Sequence, residues 1–345
     1  MTATQSASSR DRLHIAVSLS GEGSGHATRM AALCSELSRY YRLSIWCPHH
    51  TRALLRRYLP DCTFFYLPVI RSVFHDNQID YIRTFMANTW LFTRANRLVE
   101  SLRRKLLRTN VDVVMADYEP LLPRAAKGAR LPTLLFNHQG AVDRHPAPRF
   151  SWLVAWGTNR NMMPYFTRHI TSSFYDGDVG PLLRPEITRR RPTFEPFIFV
   201  YAREGFRGNV LPALDHFPGV NFRIFPSEDF DFTASLATCR AVIAPAGHQL
   251  ISEALFYRKP LLVFPQHMQY EQNLNAQMLV RSGWGMKSHV RHILRSMDTF
   301  LNRLDRFPLH EPDPRVRFCF QDDTPHALEL VRAYLSQLEP LTARR

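Results

Sequence analysis

Residues 241–276, AVIAPAGHQLISEALFYRKPLLVFPQHMQYEQNLNA, decide the fold. The pattern predicts a buried strand, a glycine turn, a helix from about His248, a second strand and a second helix. Polar residues cluster where each strand ends. Because ligands bind at the carboxyl ends of the strands in a doubly wound α/β sheet, this stretch predicts half of a binding site.

The start of the chain predicts a second unit of the same kind. Residues 13–20 read as a buried strand, GEGSGHATR follows at 21–29, and apolar residues at helical spacing come next. Glycine lets the backbone approach a ligand, and the first N–H groups of a helix can bind an anion. Gly23, Gly25 and Arg29 are therefore candidates for a phosphate or acceptor loop. The spacing is not GxGxxG, which disfavours an NAD site.

Two further predicted strands of the first half end in polar groups. Asp117 and Glu119 follow the strand at 111–116, and His138 and Gln139 follow the strand at 131–136. Each residue alone is compatible with a helix cap or a satisfied polar group. Several such strand ends on one sheet edge, together with His26 after the first strand, favour an active-site cleft. Glu119, His138 and Gln139 are therefore candidates for the same phosphate or acceptor loop as Gly23, Gly25 and Arg29.

The length and the proline pattern predict two domains. A chain of 345 residues suits about two domains of ~150 residues each. Residues 176–196 contain four prolines and no sustained periodicity, which indicates a boundary. We therefore expect an α/β protein with two Rossmann-like domains, at 11–178 and 197–345, joined by a linker at 179–196. The helix expected at 324–338 is a candidate to pack back on the first domain.

The composition points to anionic partners. Lys and Arg exceed Asp and Glu by 14, which favours nucleic acid, phospholipid headgroups or phosphorylated small molecules, or reflects a generally basic surface. Residues 71–108 are Arg-rich and helical in pattern, so they suit either an anionic membrane surface or an ordinary amphipathic helix with a solvated basic face. The scattered cysteines, and the lack of a signal peptide and of a long apolar run, predict a cytoplasmic protein.

The residues of the opening stretch suit a nucleotide-sugar. A helix beginning at Gly247, His248 and Gln249 directs free N–H groups at an anion such as a diphosphate. Glu253 can accept hydrogen bonds from the vicinal hydroxyls of a ribose. Glu271, Gln272 and Asn275 suit a sugar, although Glu271 also fits a first-turn helix carboxylate and Asn275 a surface residue.

These motifs resemble those of glycosyltransferases with two Rossmann-like domains, the GT-B type. This group includes UDP-dependent glycosyltransferases and the lipid-linked N-acetylglucosaminyltransferase of peptidoglycan synthesis. The resemblance covers roughly residues 13–286 and rests on GEGSGHATR and on a donor motif whose matching residues are Gly247, Glu253, Pro265, Glu271, Gln272 and Asn275. DYEPL at 117–121 and NHQ at 137–139 are similar to a bacterial and archaeal subgroup of unassigned acceptor.

One position departs from the family pattern. Pro245 stands where the family has a diphosphate-binding histidine. Either His248, at the start of the helix, supplies the positive charge, or donor binding relies on backbone N–H groups and arginine side chains.

The resemblance implies transfer of a hexosyl group from a nucleotide-sugar, expected to be UDP-linked, to a hydroxyl acceptor. His26 would act as general base and Asp117 would orient its ring, which fits the chemistry of histidine. Neither a metal nor a cofactor is expected.

Other functions remain open at this point. A nucleotide-sugar epimerase or hydrolase would use the same fold. A non-enzymatic basic protein that binds nucleic acid lacks support, because the sequence has no aromatic-basic RNA motif and no zinc finger. The acceptor is open between a lipid, a saccharide and a small metabolite, and a lipid acceptor would place the protein peripherally on the inner face of a membrane.

Overall fold

The computed structural model describes residues 12–21, 24–68, 70, 73–75, 78–79, 81–203 and 205–338. In the first half the strands are β1 (His14–Leu19), β2 (Arg42–Cys47), β3 (Thr63–Tyr66), β4 (Phe74–His75), β5 (Gln78–Ile79), β6 (Val113–Asp117), β7 (Thr133–Asn137) and β8 (Arg168–Thr171). The helices are α1 (Gly25–Leu37), α2 (His49–Tyr58), α3 (Tyr81–Ala87), α4 (Trp90–Arg108), α5 (Leu121–Gly128), α6 (Gly140–Arg144) and α7 (Phe150–Met162).

The second half continues the alternation of strands and helices. Its strands are β9 (Ile198–Tyr201), β10 (Phe222–Phe225), β11 (Ala241–Ala244), β12 (Leu261–Val263) and β13 (Gly285–Lys287). Its helices are α8 (Pro185–Thr188), α9 (Arg207–Leu214), α10 (Phe232–Thr238), α11 (His248–Phe256), α12 (Tyr270–Arg281), α13 (Ile293–Leu301) and α14 (Thr324–Ser336), with 3₁₀ turns at Val290–His292 and Leu304–Arg306.

The strands form two parallel sheets. The first has the order β3-β2-β1-β6-β7-β8, and the second has the order β10-β9-β11-β12-β13. Apart from the small β4–β5 antiparallel pair, the first order is that of a Rossmann sheet, and the second is the related 2-1-3-4-5 order. The prediction of an α/β fold with two Rossmann-like sheets is confirmed.

Each sheet has a switch point where the strand order reverses, between β1 and β6 in the first and between β9 and β11 in the second. Ligands of this fold class bind in the crevice at such points. His26 follows β1, Asp117 ends β6, and Gly247 follows β11. The topology therefore brings the predicted polar strand ends to the two places where a ligand is expected.

Both faces of each sheet are covered, which explains why the strands read as continuous apolar runs. Ile15 and Val17 of β1 pack in one cluster with α1, while Ala16 faces a second cluster that includes α5. Val331 of the last helix, α14, belongs to the first of these clusters, and α14 lies against α1. The last described helix therefore packs on the first half of the molecule.

Residues 71–108 are more varied than the helical pattern indicated. They include the β4–β5 pair and α3 before the long helix α4 begins. Leu102 and Leu106 of α4 are buried in the cluster that includes α5, and its arginines Arg94, Arg97, Arg104 and Arg108 are exposed. The most exposed apolar side chains of this region lie on α3, where Ile82 and Met86 are 78% and 64% exposed. Within the described ranges, no helix is long and apolar enough to cross a membrane.

Candidate active site

A cavity of about 570 Å³ lies between the two halves of the molecule. The first half contributes the start of α1 and the loop after β7. The second half contributes the ends of β9 and β10, the start of α11 and the start of α12. Of the predicted site residues, those that line the cavity are Gly25, His26, Arg29, His138, Gln139, Gly247, His248, Gln249, Glu253 and Glu271. Gly23 lies outside the described residues.

His26 is held by Asp117 on one side of its ring. Its Nδ1 lies 2.9 Å from Asp117 Oδ1, and the His26 side chain is 11% exposed while that of Asp117 is fully buried. Among the described residues no hydrogen bond involves Nε2. Because the carboxylate accepts the Nδ1 proton, Nε2 is left as the nitrogen that can accept a proton from a ligand in the cavity.

Arg29 completes this group. Its guanidinium donates to both oxygens of Asp117, at 2.7 Å and 2.8 Å from one nitrogen, and it is almost fully buried. Burial alone would raise the pKa of Asp117, but Arg29 and His26 together outweigh burial and lower it. Asp117 is therefore an anion at neutral pH, and the charge of Arg29 is largely committed to it.

The residue after Asp117 adopts an unusual backbone conformation. Tyr118 has φ of +53°, a left-handed value that a bulky residue adopts only when its surroundings impose it. Its ring lies parallel to that of His26 at a centroid distance of 6.2 Å, and its hydroxyl donates to Asn159 Oδ1. Asn159 in turn donates to the carbonyl of Gln139. One helix, α7, thus supports two of the strand ends.

Glu119 holds the start of helix α5. Its two carboxylate oxygens accept from the backbone N–H groups of Leu121 and Leu122 at the start of α5. Burial raises its pKa, and these two hydrogen bonds offset part of that effect. Glu119 caps α5 and does not line the cavity.

His138 and His248 form a buried contact between the two halves. Their rings are stacked at a centroid distance of 3.6 Å. Burial lowers the pKa of His138 to about 3 and holds the pKa of His248 well below its ordinary value. His248 Nε2 accepts from the backbone N–H of Phe174. Both rings are therefore neutral at pH 7, and His248 does not replace the positive charge of the histidine that Pro245 displaces.

Helix α11 begins at the cavity with no side-chain cap on its first turn. Gly247 has φ of −74°, and a Cβ added there would meet nothing within 4 Å. Glu253, six residues further on, is 2% exposed, and its Oε1 accepts from Arg184 and from Gln249, each at 3.2 Å. An uncapped helix start beside a carboxylate offers donors for an anion and an acceptor for hydroxyl groups.

The three predicted residues of α12 have different positions. Glu271 lines the cavity, and its Oε2 accepts from Gln139 Nε2 at 3.3 Å. Gln272 uses both ends of its amide on Gln266, which fixes the loop before α12. Asn275 is fully buried, so the alternative that it is a surface residue was wrong. Its Oδ1 accepts from His138 and Tyr175, and its Nδ2 donates to the carbonyl of Ala246.

The sequence reasoning missed several lining residues. Arg184 lies in the proline-rich connection and is mostly buried against Glu253, and Arg203 follows β9 at the cavity edge. An aromatic wall, formed by Tyr201, Phe230 and Phe232, belongs to the second half. Arg203 follows the same strand-end rule that identified His26, so that rule could have found it. Within the described part of the chain, no group of three or more His, Cys, Asp or Glu residues is placed to hold a metal ion.

The family model described as Glycosyl transferase family 1 matches residues 13–305. The chain belongs to glycosyl transferase family 1. As a member of this family, the protein is a glycosyltransferase enzyme. A search of curated proteins by sequence gave no match.

Solved structures of glycosyltransferases share its GT-B fold. The glycotransferase of kitacinnamycin is 15% identical, with 86% of this chain and 92% of that chain covered and a TM-score of 0.59. MurG of Acinetobacter baumannii is 13% identical, with 93% and 99% covered and a TM-score of 0.58. The glycosyltransferase VinC, solved in complex with DTDP, is 13% identical, with 96% and 100% covered and a TM-score of 0.53. At these identities the likeness establishes the fold alone.

Proposed function

We propose that this family 1 glycosyltransferase moves a hexosyl group from a nucleotide-sugar, UDP-linked in the simplest case, to a hydroxyl group of an acceptor. One observation carries the proposal. His26, held by Asp117, lines the same cavity as the uncapped start of α11. A proton acceptor and an anion-binding helix start thus serve the two ends of a group transfer.

On the first half of the molecule, His26 is the general base. The acceptor hydroxyl gives its proton to Nε2, and Asp117 stabilises the imidazolium that forms, since it already accepts the proton on Nδ1. Arg29 keeps Asp117 ionised, which preserves this effect. The role of Arg29 is therefore to hold the carboxylate rather than to contact a phosphate.

On the second half, α11 receives the donor. The first N–H groups of α11, which follow Gly247, bind the diphosphate, and Arg184 and Arg203 supply the positive charge that Pro245 and the neutral His248 do not. Glu253 accepts from the ribose, Glu271 from the sugar, and the wall of Tyr201, Phe230 and Phe232 offers a stacking surface for the nucleobase. Gln272 and Asn275 hold the loop and the helix that present Glu271.

The step is a direct displacement at the anomeric carbon. The acceptor oxygen forms a bond to that carbon while the bond to the diphosphate oxygen breaks. The proton of the acceptor goes to His26, and the negative charge that develops on the diphosphate is met by the helix start and the two arginines. A divalent metal is not required in this scheme.

The acceptor is proposed to lie at an anionic membrane surface. The exposed apolar side chains of α3 include Ile82 and Met86, and the neighbouring helix α4 presents exposed arginines. Apolar side chains flanked by arginine suit a lipid interface that carries negative charge. This placement makes the protein peripheral on the inner face of the membrane.

The donor proposal is tested by calorimetry with UDP and with dTDP, each with and without an attached hexose. Gly247→Ala is the informative variant, because its backbone angles suit alanine and the new methyl group meets no atom of the described residues within 4 Å. The variant should fold as the parent does. Binding should weaken by roughly tenfold or more, since the methyl group occupies space that a closely bound phosphate needs.

Gly219→Ala is the matched control, because a Cβ at Gly219 also meets nothing within 4 Å and Gly219 does not line the cavity. It should leave binding unchanged. The donor proposal is wrong if no nucleoside diphosphate binds the parent protein, or if Gly247→Ala binds as tightly as Gly219→Ala.

A further inference from the structure

Gln139 connects the two halves of the molecule at the cavity. It follows β7, it is 5% exposed, and it lines the cavity together with Glu271. Its backbone carbonyl accepts from Asn159 Nδ2 at 3.0 Å, which fixes the residue against α7. Its side-chain Nε2 donates to Glu271 Oε2 at 3.3 Å. The sequence placed Gln139 in an acceptor loop, but its side chain contacts a residue of the donor half.

The orientation of this amide follows from its partner. A carboxylate only accepts hydrogen bonds, so the NH₂ group must face Glu271 and the carbonyl oxygen must face away from it. Within the described part of the chain, Gln139 Oε1 is buried and has no hydrogen-bond partner. An amide oxygen left in this state is unfavourable unless a ligand or a water molecule donates to it.

The chemistry of Oε1 restricts what the ligand presents there. An amide oxygen needs a donor, which a diphosphate that has lost its protons at neutral pH does not have. The ribose hydroxyl groups are proposed to lie at Glu253, beside Gln249, whose own Oε1 is also buried and has no hydrogen-bond partner among the described residues. Gln139 contacts Glu271 instead, so the hydrogen-bond donor that reaches its Oε1 belongs to the transferred sugar.

We infer that Gln139 is a specificity-determining residue that recognises a hydroxyl group of the transferred sugar. Its Oε1 accepts from that hydroxyl, and its Nε2 holds Glu271 in place beside it. The sugar class is therefore a hexose that keeps this hydroxyl group, and a deoxysugar lacking it is rejected. This inference rests on the proposed nucleotide-sugar donor.

Calorimetry with UDP-glucose and its monodeoxy analogues, each lacking one sugar hydroxyl, tests the inference. In the parent protein one analogue should bind roughly ten- to a hundredfold more weakly than UDP-glucose, because it leaves Oε1 unpartnered. Gln139→Met keeps the length of the side chain and removes the acceptor. In this variant the same analogue and UDP-glucose should bind within about twofold of each other.

Gln277→Met is the control, since Gln277 is exposed on α12 and does not line the cavity. It should discriminate as the parent does. The inference is overturned if the parent binds all analogues equally, which needs no variant, or if Gln139→Met keeps the discrimination of the parent. Failure of every nucleoside diphosphate to bind would instead refute the proposed donor, and the inference with it.

Discussion

At the scale of single residues, the site depends on how Asp117 and Tyr118 end strand β6. Asp117 is fully buried and is bonded to both His26 and Arg29, and Tyr118 follows it with a left-handed backbone. Such a conformation costs roughly 1–3 kcal/mol and persists only where the surroundings impose it. The ring of Tyr118 lies parallel to that of His26. The strain coincides with the proposed catalytic base.

His26→Ala should lower kcat by roughly 10²–10⁴-fold, the usual contribution of a general base. The affinity for the nucleoside diphosphate should change little, because the donor is proposed to bind the other half of the cavity. Transfer is measured with the donor and acceptor pair found by screening, and the donor Kd by calorimetry.

His49→Ala serves as the comparison, since His49 is an exposed histidine that stacks on Tyr66 and does not line the cavity. It should retain the activity of the parent. Equal turnover in His26→Ala and His49→Ala would remove His26 from the mechanism.

The site residues show which contacts could be predicted from the sequence and which could not. His26 and Asp117 were predicted together because parallel strands end on one edge, and their contact is present in the structure. The motif spacing could not separate Glu271, which lines the cavity, from Gln272, which bonds to Gln266. That difference depends on the loop before α12, and the pairing of Glu271 with Gln139 joins residues 132 positions apart.

At the scale of elements, buried regular structure was predictable and edge structure was not. The strand and helix at 241–256 follow from an apolar run and a helical pattern. Strand β8, with the sequence RHIT, lies at the edge of its sheet, and its first two residues are not buried. Its polar residues therefore gave no apolar signal. Helix α4 has the predicted amphipathic pattern, but its apolar face packs against the protein core.

The exposed apolar side chains of α3 lead to a test of the membrane proposal. Vesicles of phosphatidylcholine with phosphatidylserine should carry the protein on flotation, and vesicles of phosphatidylcholine alone should carry much less. Ile82→Ser with Met86→Ser should weaken binding by roughly tenfold or more, since two apolar side chains no longer enter the interface.

Leu294→Ser provides the comparison, because Leu294 is a partly exposed apolar residue of α13 in the other half. It should float as the parent does. Equal flotation on both kinds of vesicle, or no effect of the α3 variant, would contradict a membrane surface at this helix.

At the scale of the whole molecule, the two halves are joined by more than the connecting chain. Asn275 accepts from His138 and Tyr175 of the first half, and His248 accepts from the backbone of Phe174. Helix α14 returns to pack on α1. Because these contacts are buried and polar, they fix one arrangement of the halves, and that arrangement keeps Gln139 beside Glu271.

The buried histidine pair makes this arrangement sensitive to acid. The pKa of His138 is about 3 in the folded protein and 6.5 ordinarily, so below pH 6.5 the unfolded chain binds a proton that the folded one does not. Stability should therefore fall as the pH drops from 6.5 towards 3. By about pH 5 His138 alone should account for a loss of about 2 kcal/mol. The lowered pKa of Asp117 also makes stability fall with the pH, but only below the ordinary pKa of 3.8.

His138→Gln tests this origin of the acid sensitivity. The variant keeps a donor for Asn275 but cannot titrate, so its Tm should fall less between about pH 7.5 and about pH 5 than that of the parent. A lower Tm of the variant at the higher pH does not affect the test, because the test compares how far the Tm of each protein falls between the two pH values. His326→Gln, at an exposed histidine of α14, should behave as the parent. A pH dependence of His138→Gln as steep as that of the parent would show that His138 is not responsible.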